Sequence, residues 1–277
     1  IQERRQLRLF LRKDLYGRFI NAIVYVPRDR YNTELRYKLQ EILMESCDGT
    51  SAEFNVQFSQ MVLARVNFTI QTAKDNDLDL VIENDIQRKM QDAMSSWEDK
   101  LLDALHTNHG EETGNQLFHK YAPYLPAAYR EDFSHNTAVL DIERLNTLTE
   151  EGAIATHLYR QVGQRKGAHF FKVYGTGTSL VLSDVLPVLE CMGLRVLEAR
   201  PYELDQQETN TWVVEFAISV DENINLEQKS QREAFQDAFN QIIKRRVEND
   251  RFNALVLEAS LTWRQVTMLR AITKYLN

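Results

Sequence analysis

The chain has 277 residues, 43% of them hydrophobic, and a net charge of -7. That is room for one large domain or two small ones, with enough apolar content to argue against wholesale disorder. The acidic balance disfavours nucleic acid and anionic membranes as main partners, because phosphate binding needs clustered Lys and Arg.

Cys47 and Cys191 are too few for a disulfide scaffold, so both thiols are expected to be reduced, in a cytoplasmic protein. No apolar run is long enough to span a bilayer. No signal peptide opens the chain. The first residues already read as a strand and the last as an uninterrupted helix, so both ends are expected to be cuts in a longer polypeptide.

In chain order, residues 7–13 alternate apolar and polar, as in a strand. Residues 19–26 are apolar on both faces, which suits a central strand. Asn32 then caps a helix whose Leu35, Leu39, Ile42 and Leu43 share a face, with Gly49 beyond its end. Two strands follow, one marked by Phe54, Val56 and Phe58, the other by Val62, Ala64, Val66, Phe68 and Ile70. Asn67 opens an N-x-T sequon inside that second strand, where it carries no meaning in the cytosol.

From 82 to 105, Ile82, Ile86, Met90, Ala93, Trp97, Leu101 and Leu105 step by three or four, predicting one long amphipathic helix. Its stripe exceeds what one small sheet needs, so part of it is expected to dock on another module or subunit. Shorter helices are predicted over 110–121, 126–133 and 136–148, the last capped by Ser134.

The first pattern then returns. Residues 154–161 and 169–174 read as strands. Ser183 is expected to cap a helix carrying Val185, Leu186, Leu189 and Met192, with Pro187 near its first turn and Gly193 at its end. Residues 194–204 are extended. Trp212, Val214, Phe216, Ile218 and Val220 share a face of a last strand, and 227–247 and 261–276 close the chain as helices.

Both halves run strand, strand, helix, strand, strand, helix, a structural repeat without an obvious sequence repeat. The fold class is α+β: tandem ferredoxin-like antiparallel sheets with helices, joined by a helical region. The expected organisation is a first module over 1–74, a helical connector over 75–152, a second module over 153–222 and closing helices over 223–277.

Few motifs carry chemistry. Gly175-Thr176-Gly177-Thr178-Ser179 joins a strand to a helix and begins like a dinucleotide loop, but Leu180 stands where the third glycine belongs. A polar turn is the simplest reading. A small-anion or amino-acid site is the functional one, because glycines let backbone N–H groups approach a carboxylate near a helix start. Arg28-Asp29-Arg30 reads as an ion-paired turn, with ligand contact as the minority alternative. Lys166 to Tyr174 faintly resembles an RNA-recognition strand, yet sheet-core aromatics explain it better. His106, His109 and His119 match no zinc spacing, so no metal site is expected. Lys244-Arg245-Arg246 is a solvated cluster near a helix end.

Longer strings resemble a known family. Asp14 to Phe19, continuing through Val24-Tyr25-Val26-Pro27-Arg28-Asp29-Arg30-Tyr31, is similar to a signature of the large bacterial NAD-specific glutamate dehydrogenases. So are Gly110-Glu111-Glu112 with Tyr129-Arg130-Glu131, Leu182-Ser183-Asp184-Val185-Leu186-Pro187, and Arg200-Pro201-Tyr202. Arg251 to Leu257 and Leu261-Thr262-Trp263-Arg264 resemble the stretch leading toward that family's catalytic region.

The resemblance implies two ACT-like modules with intervening helices, cut from an enzyme that converts L-glutamate, NAD and water to 2-oxoglutarate, ammonia and NADH. It implies no catalytic residue and no cofactor in this segment, with NAD bound in the parent enzyme. The implied partners are the downstream catalytic domain of the same polypeptide and further copies in a homo-oligomer, with an amino-acid effector where the modules sense; a purely structural oligomerisation module is the alternative reading, and RNA binding a weaker one. Gly175, Thr176, Gly177, Thr178 and Ser179 are the preferred effector residues, ahead of Arg28 and Arg30. The 175–179 turn departs from what the family leads one to expect.

Overall fold

The computed structural model describes residues 7–14, 18–58, 62–72, 82–160, 169–205, 210–221, 224, 226 and 228–276. It divides into two compact units, Ile1–Asp99 and Lys100–Asn277.

The first unit contains strands β1 (Arg8–Lys13) and β2 (Phe19–Pro27), helix α1 (Thr33–Ser46), strands β3 (Gly49–Phe58) and β4 (Leu63–Thr72), and helix α2 (Glu83–Met94). The strands pair antiparallel in the order β1-β2-β4-β3. Counting β1 last gives strand-helix-strand-strand-helix-strand with the ferredoxin-like order 4-1-3-2. The edge strand comes from the start of the module rather than its end.

Asn32 caps α1 as expected, its side chain accepting from the Leu35 N–H at 2.7 Å. Leu39 and Leu43 of α1 and Ile86 and Met90 of α2 bury themselves against Val24, Val66, Phe68 and Ile70. Helix α2 also protects the free edge of β1. Gln87 and Glu83 accept from the Leu9 and Leu11 N–H groups at 2.9 and 3.2 Å, and Gln91 donates to the Leu7 carbonyl at 3.2 Å.

The long helix expected over 82–105 is two helices, α2 and α3 (Trp97–His109). Ser95 is extended, and a capping box restarts the helix: Ser96 Oγ accepts from the Asp99 N–H at 3.1 Å while Asp99 accepts from the Ser96 N–H at 3.0 Å. Apolar periodicity persists across such a break, which is why it misled. Of the stripe, Ile86, Met90, Leu101 and Leu105 are buried, Ala93 and Trp97 are half-buried, and Ile82 is exposed.

The second unit continues with α4 (Glu111–Tyr121), a 3-10 turn (Ala122–Tyr124), α5 (Ala127–Asp132) and α6 (His135–Asn146). Ser134 caps α6, as predicted, accepting from the Thr137 N–H at 3.3 Å. Strands β5 (Ile154–Tyr159), β6 (His169–Thr176), β7 (Arg195–Leu204) and β8 (Thr211–Ser219) form a second antiparallel sheet, β5-β6-β8-β7. It repeats the first topology. Residues 161–168, which include part of the stretch that resembled an RNA-binding strand, lie outside the described residues.

One face of this sheet packs on α7 (Leu182–Cys191) and α8 (Lys229–Ile243). Phe171, Val173, Trp212, Val214 and Phe216 meet Val185, Leu189, Phe235 and Phe239 there. Helix α7 starts at Leu182, with Val181 in the cap position and no side-chain cap, so Ser183 lies inside it. Pro187 consequently falls in the second turn and leaves the Ser183 carbonyl without its usual helical donor. Pro201 sits on the edge strand β7, where a missing N–H is tolerated. The helix predicted to 247 ends at Ile243, Arg245 turning at φ 56°. A 3-10 turn (Arg251–Ala254), α9 (Leu255–Glu258) and α10 (Trp263–Leu276) complete the unit.

Candidate functional site

Residues 176–179 of the preferred effector segment line a cavity of the second unit, about 1280 Å³, walled also by the end of α4 and the loop after α6. Glu150, Glu151 and Glu203 line it, as do Lys120 and His119, so acidic residues outnumber the one lysine in its lining. Thr211 contributes a buried hydroxyl with no hydrogen-bond partner among the described residues.

The five residues of the turn do different things. Gly175 faces the core: a Cβ there would fall 2.0 Å from Cζ2 of Trp212, so the glycine makes room for the indole. Thr176 is buried, with its N–H given to the Ala153 carbonyl at 3.2 Å and its hydroxyl to the Glu150 carbonyl at 2.6 Å. Gly177 turns at φ 78° and gives its N–H to the Asn210 carbonyl at 2.7 Å. Thr178 and Ser179 are the members that reach the cavity without a backbone role among the described hydrogen bonds. The turn's first N–H groups are therefore spent on the fold.

Arg28 and Arg30 belong to the first unit and do not join this cavity. The Arg28 N–H donates to the Val62 carbonyl at 2.9 Å. Arg30 makes a two-point ion pair with Asp99, one arm at 3.1 Å, which locks the turn after β2 to the start of α3. His106 meets Asn115 at 3.0 Å and His109 meets Glu143 at 3.0 Å. Among the described residues no cluster suited to a metal was found.

A more organised constellation lies on the second sheet's other face, and sequence reasoning missed it. Asp141 of α6 is buried and accepts three bonds: from Lys172 Nζ at 2.6 Å, from the Tyr129 hydroxyl at 2.5 Å and from the Tyr174 hydroxyl at 2.8 Å. Lys172 Nζ also lies 3.5 Å above the Phe133 ring and 3.9 Å from Glu215, which accepts from Tyr159. At the border Tyr202 donates to Asp132 at 2.6 Å. Burial raises the Tyr129 and Tyr174 phenols well above their ordinary range, reinforced by Asp141. Burial also raises the Glu215 carboxyl. His157, desolvated and beside Arg144, is lowered to about 4. Arg144 donates to its Nδ1 at 3.1 Å, so the ring is a neutral acceptor there.

This layer fixes helices α5 and α6 onto the sheet. It contains no free nucleophile beside a base, and its protons are held between fixed partners. Its signals were faint but present: Lys172 interrupts an otherwise apolar strand, and Asp141 stands between Leu140 and Ile142 on an apolar helix. A smaller cavity of about 480 Å³ opens beside it, between Phe133, Phe170 and Arg200.

Residues 8–98 match the family model described as the glutamate dehydrogenase ACT2 domain, and 104–148 match its helical motif 2. Residues 153–231 match the ACT3 domain and 247–277 helical motif 3. The chain is 38% identical over 277 residues to an NAD-specific glutamate dehydrogenase of Halomonas elongata, and 40% over 278 residues to one of Pseudomonas aeruginosa. All of this chain is covered in both cases, and 17% of each relative. A Mycobacterium tuberculosis protein of the same description is 31% identical over 290 residues, with 99% of this chain and 18% of that protein covered.

Proposed function

We infer the role of this chain from the family to which it belongs: it is a segment of the NAD-specific glutamate dehydrogenases, made of their second and third ACT domains and their second and third helical motifs. It acts as a non-catalytic scaffold and regulatory body, while the oxidation of L-glutamate by NAD proceeds in another part of the same polypeptide.

The observation that carries this reading is the buried layer around Asp141. A helical motif held to a sheet by three convergent hydrogen bonds, one from a buried ammonium, is built to keep one geometry. The test is glutamate-dependent NAD reduction by the purified chain and by the full-length protein. Turnover is expected only from the latter. Turnover by the isolated chain, abolished by a substitution within it, refutes the assignment.

An amino-acid effector is the second reading, favoured by the acidic cavity beside Thr178 and Ser179. An effector at one hundred times its dissociation constant stabilises the protein by about 2.7 kcal/mol. A thermal-shift screen of amino acids reads this directly. The shift should vanish in a Thr178→Val, Ser179→Ala variant. Gly177→Val is a poor probe, because its φ of 78° strains any side chain.

Homo-oligomerisation belongs to the scaffold reading. Arg270, bound to Asp250 and Asn253, pins one face of α10 inward, while Met268, Ile272 and Tyr275 stay exposed on the opposite face. Mass measured in solution with and without Ile272→Lys tests whether that stripe joins copies.

A further inference from the structure

The two ACT sheets share a topology but not a covering. In the second unit β6 is buried without interruption from Phe171 to Thr176, because helical motif 2 lies on the face that α7 and α8 leave open. In the first unit β2 from Phe19 to Val26 and β4 from Leu63 to Ile70 alternate between half-buried and buried residues, and among the described residues of that unit no helix lies on the outer face. That outer face is not a featureless polar surface. Phe10 of β1 stands opposite Ile23 of β2, and its ring meets Tyr25 edge-on at 6.0 Å. Phe10 is 51% exposed. Arg8 and Arg12 flank it on the same face, and Arg65 lies opposite Tyr25 on β4. Among the described residues neither Arg8 nor Arg12 forms an ion pair. Glu53 is the one acidic side chain among the described strand residues of that face.

We propose that this aromatic, arginine-rimmed face is the docking site of an acidic helical segment of the same polypeptide, the helical motif that precedes ACT2. Three observations converge on that occupant. The matched segments alternate as ACT2, helical motif 2, ACT3 and helical motif 3, so ACT3 follows a helical motif, and the numbering of the motifs calls for a first one ahead of ACT2. The motif that precedes ACT3 is the one that covers the ACT3 outer face, and it does so by bringing carboxylates, Asp141 and Asp132, to Lys172, Arg200 and Tyr202. The chain spans about 17% of its longer relatives, which leaves ample polypeptide to supply the helix. A tethered helix also meets its site at high effective concentration, so a modest patch suffices. Three arginines around an apolar centre select carboxylates on the rim and apolar residues in the middle.

The proposal rests on the chain being a segment of a longer dehydrogenase, which the turnover assay tests separately. The decisive experiment places a photoreactive benzophenone amino acid at Phe10 of the full-length protein, and at Arg12 in a parallel variant, with adducts located by mass spectrometry. The expected adduct is intramolecular, to a net-negative helical stretch in the sequence preceding Leu7. Arg8→Glu with Arg65→Glu should reduce its yield about fivefold, as the loss of two exposed ion pairs would. Adducts to sequence beyond Asn277, to a second copy, or to copurified nucleic acid overturn the assignment, as does the absence of any adduct from both positions. Those outcomes leave turnover in the full-length protein, and so the scaffold reading, standing.

Discussion

The two sheets of this chain were built to the same plan and put to different use. In the first, side chains on the central strands alternate between a buried face and a half-open one, the ordinary state of an antiparallel sheet covered on one side. In the second, the central strands β6 and β8 are buried on both faces, and the second covering is polar: Lys172, Tyr174 and Glu215 meet Asp141 and Tyr129 in a buried layer. The difference teaches that a common topology does not fix how many faces are buried. What decides it is whether a neighbouring helix carries the complementary charge.

The comparison breaks most sharply if that charge is removed. Asp141→Leu strands the Lys172 ammonium and two phenols, and should destabilise the second unit by about 3–5 kcal/mol, whereas Asp141→Leu with Lys172→Met should recover most of it. On the first sheet the corresponding outer-face change, Asn21→Ala, loses one exposed-side bond from Thr69 at 3.1 Å and should cost about 1 kcal/mol or less. Urea melts of the variants settle the contrast, and equal effects on both sheets would remove it.

A second probe uses paired glycines. A Cβ at Gly175 would meet the rigid Trp212 ring at 2.0 Å, whereas one at Gly49 would meet the Ile70 and Met44 side chains at 2.5 and 2.8 Å. Gly175→Ala should cost about 2–3 kcal/mol and Gly49→Ala less, because the thioether of Met44 yields more easily than an indole. Calorimetric melting of the two variants gives the order.

Acid should distinguish the sheets next. His157 is lowered to about 4 by burial and by Arg144, so it is neutral in the folded state and takes up its proton more readily when unfolded. Its contribution is complete above about pH 6.5 and is lost as pH falls toward 4, on the order of 1–2 kcal/mol after allowance for partial solvent access. Glu215, raised by burial, acts in the opposite sense, its cost easing as it protonates. A His157→Gln variant should flatten the stability profile between pH 6.5 and 4, and an unchanged slope would place the acid sensitivity elsewhere.

The smallest effect concerns the junction. Ser96→Ala removes one arm of the capping box that restarts the helix after Ser95, and should cost about 1 kcal/mol. If it costs nothing, the break at Ser95 is dictated by packing rather than by capping.

Much of this architecture was legible in the chain. The period-two runs at 64–70 and 212–218, the Asn32 and Ser134 caps and the repeated strand and helix order all act through near neighbours, so local sequence suffices to specify them. Breaks within a periodic stripe are harder, because α2 and α3 keep their apolar positions in phase across Ser95 and only the capping bonds reveal the stop. The site was less legible still. Residues 175–179 read as one motif, but Gly175 answers to Trp212, Gly177 to Asn210 and Thr176 to Glu150, partners 26 to 37 positions away in sequence. The sequence by itself determined most of the secondary elements, the repeat and the acidic character. Only the tertiary structure decided which sheet face is dry, because burying Lys172 required Asp141 from a helix 31 residues earlier, and nothing local to either residue specifies that meeting.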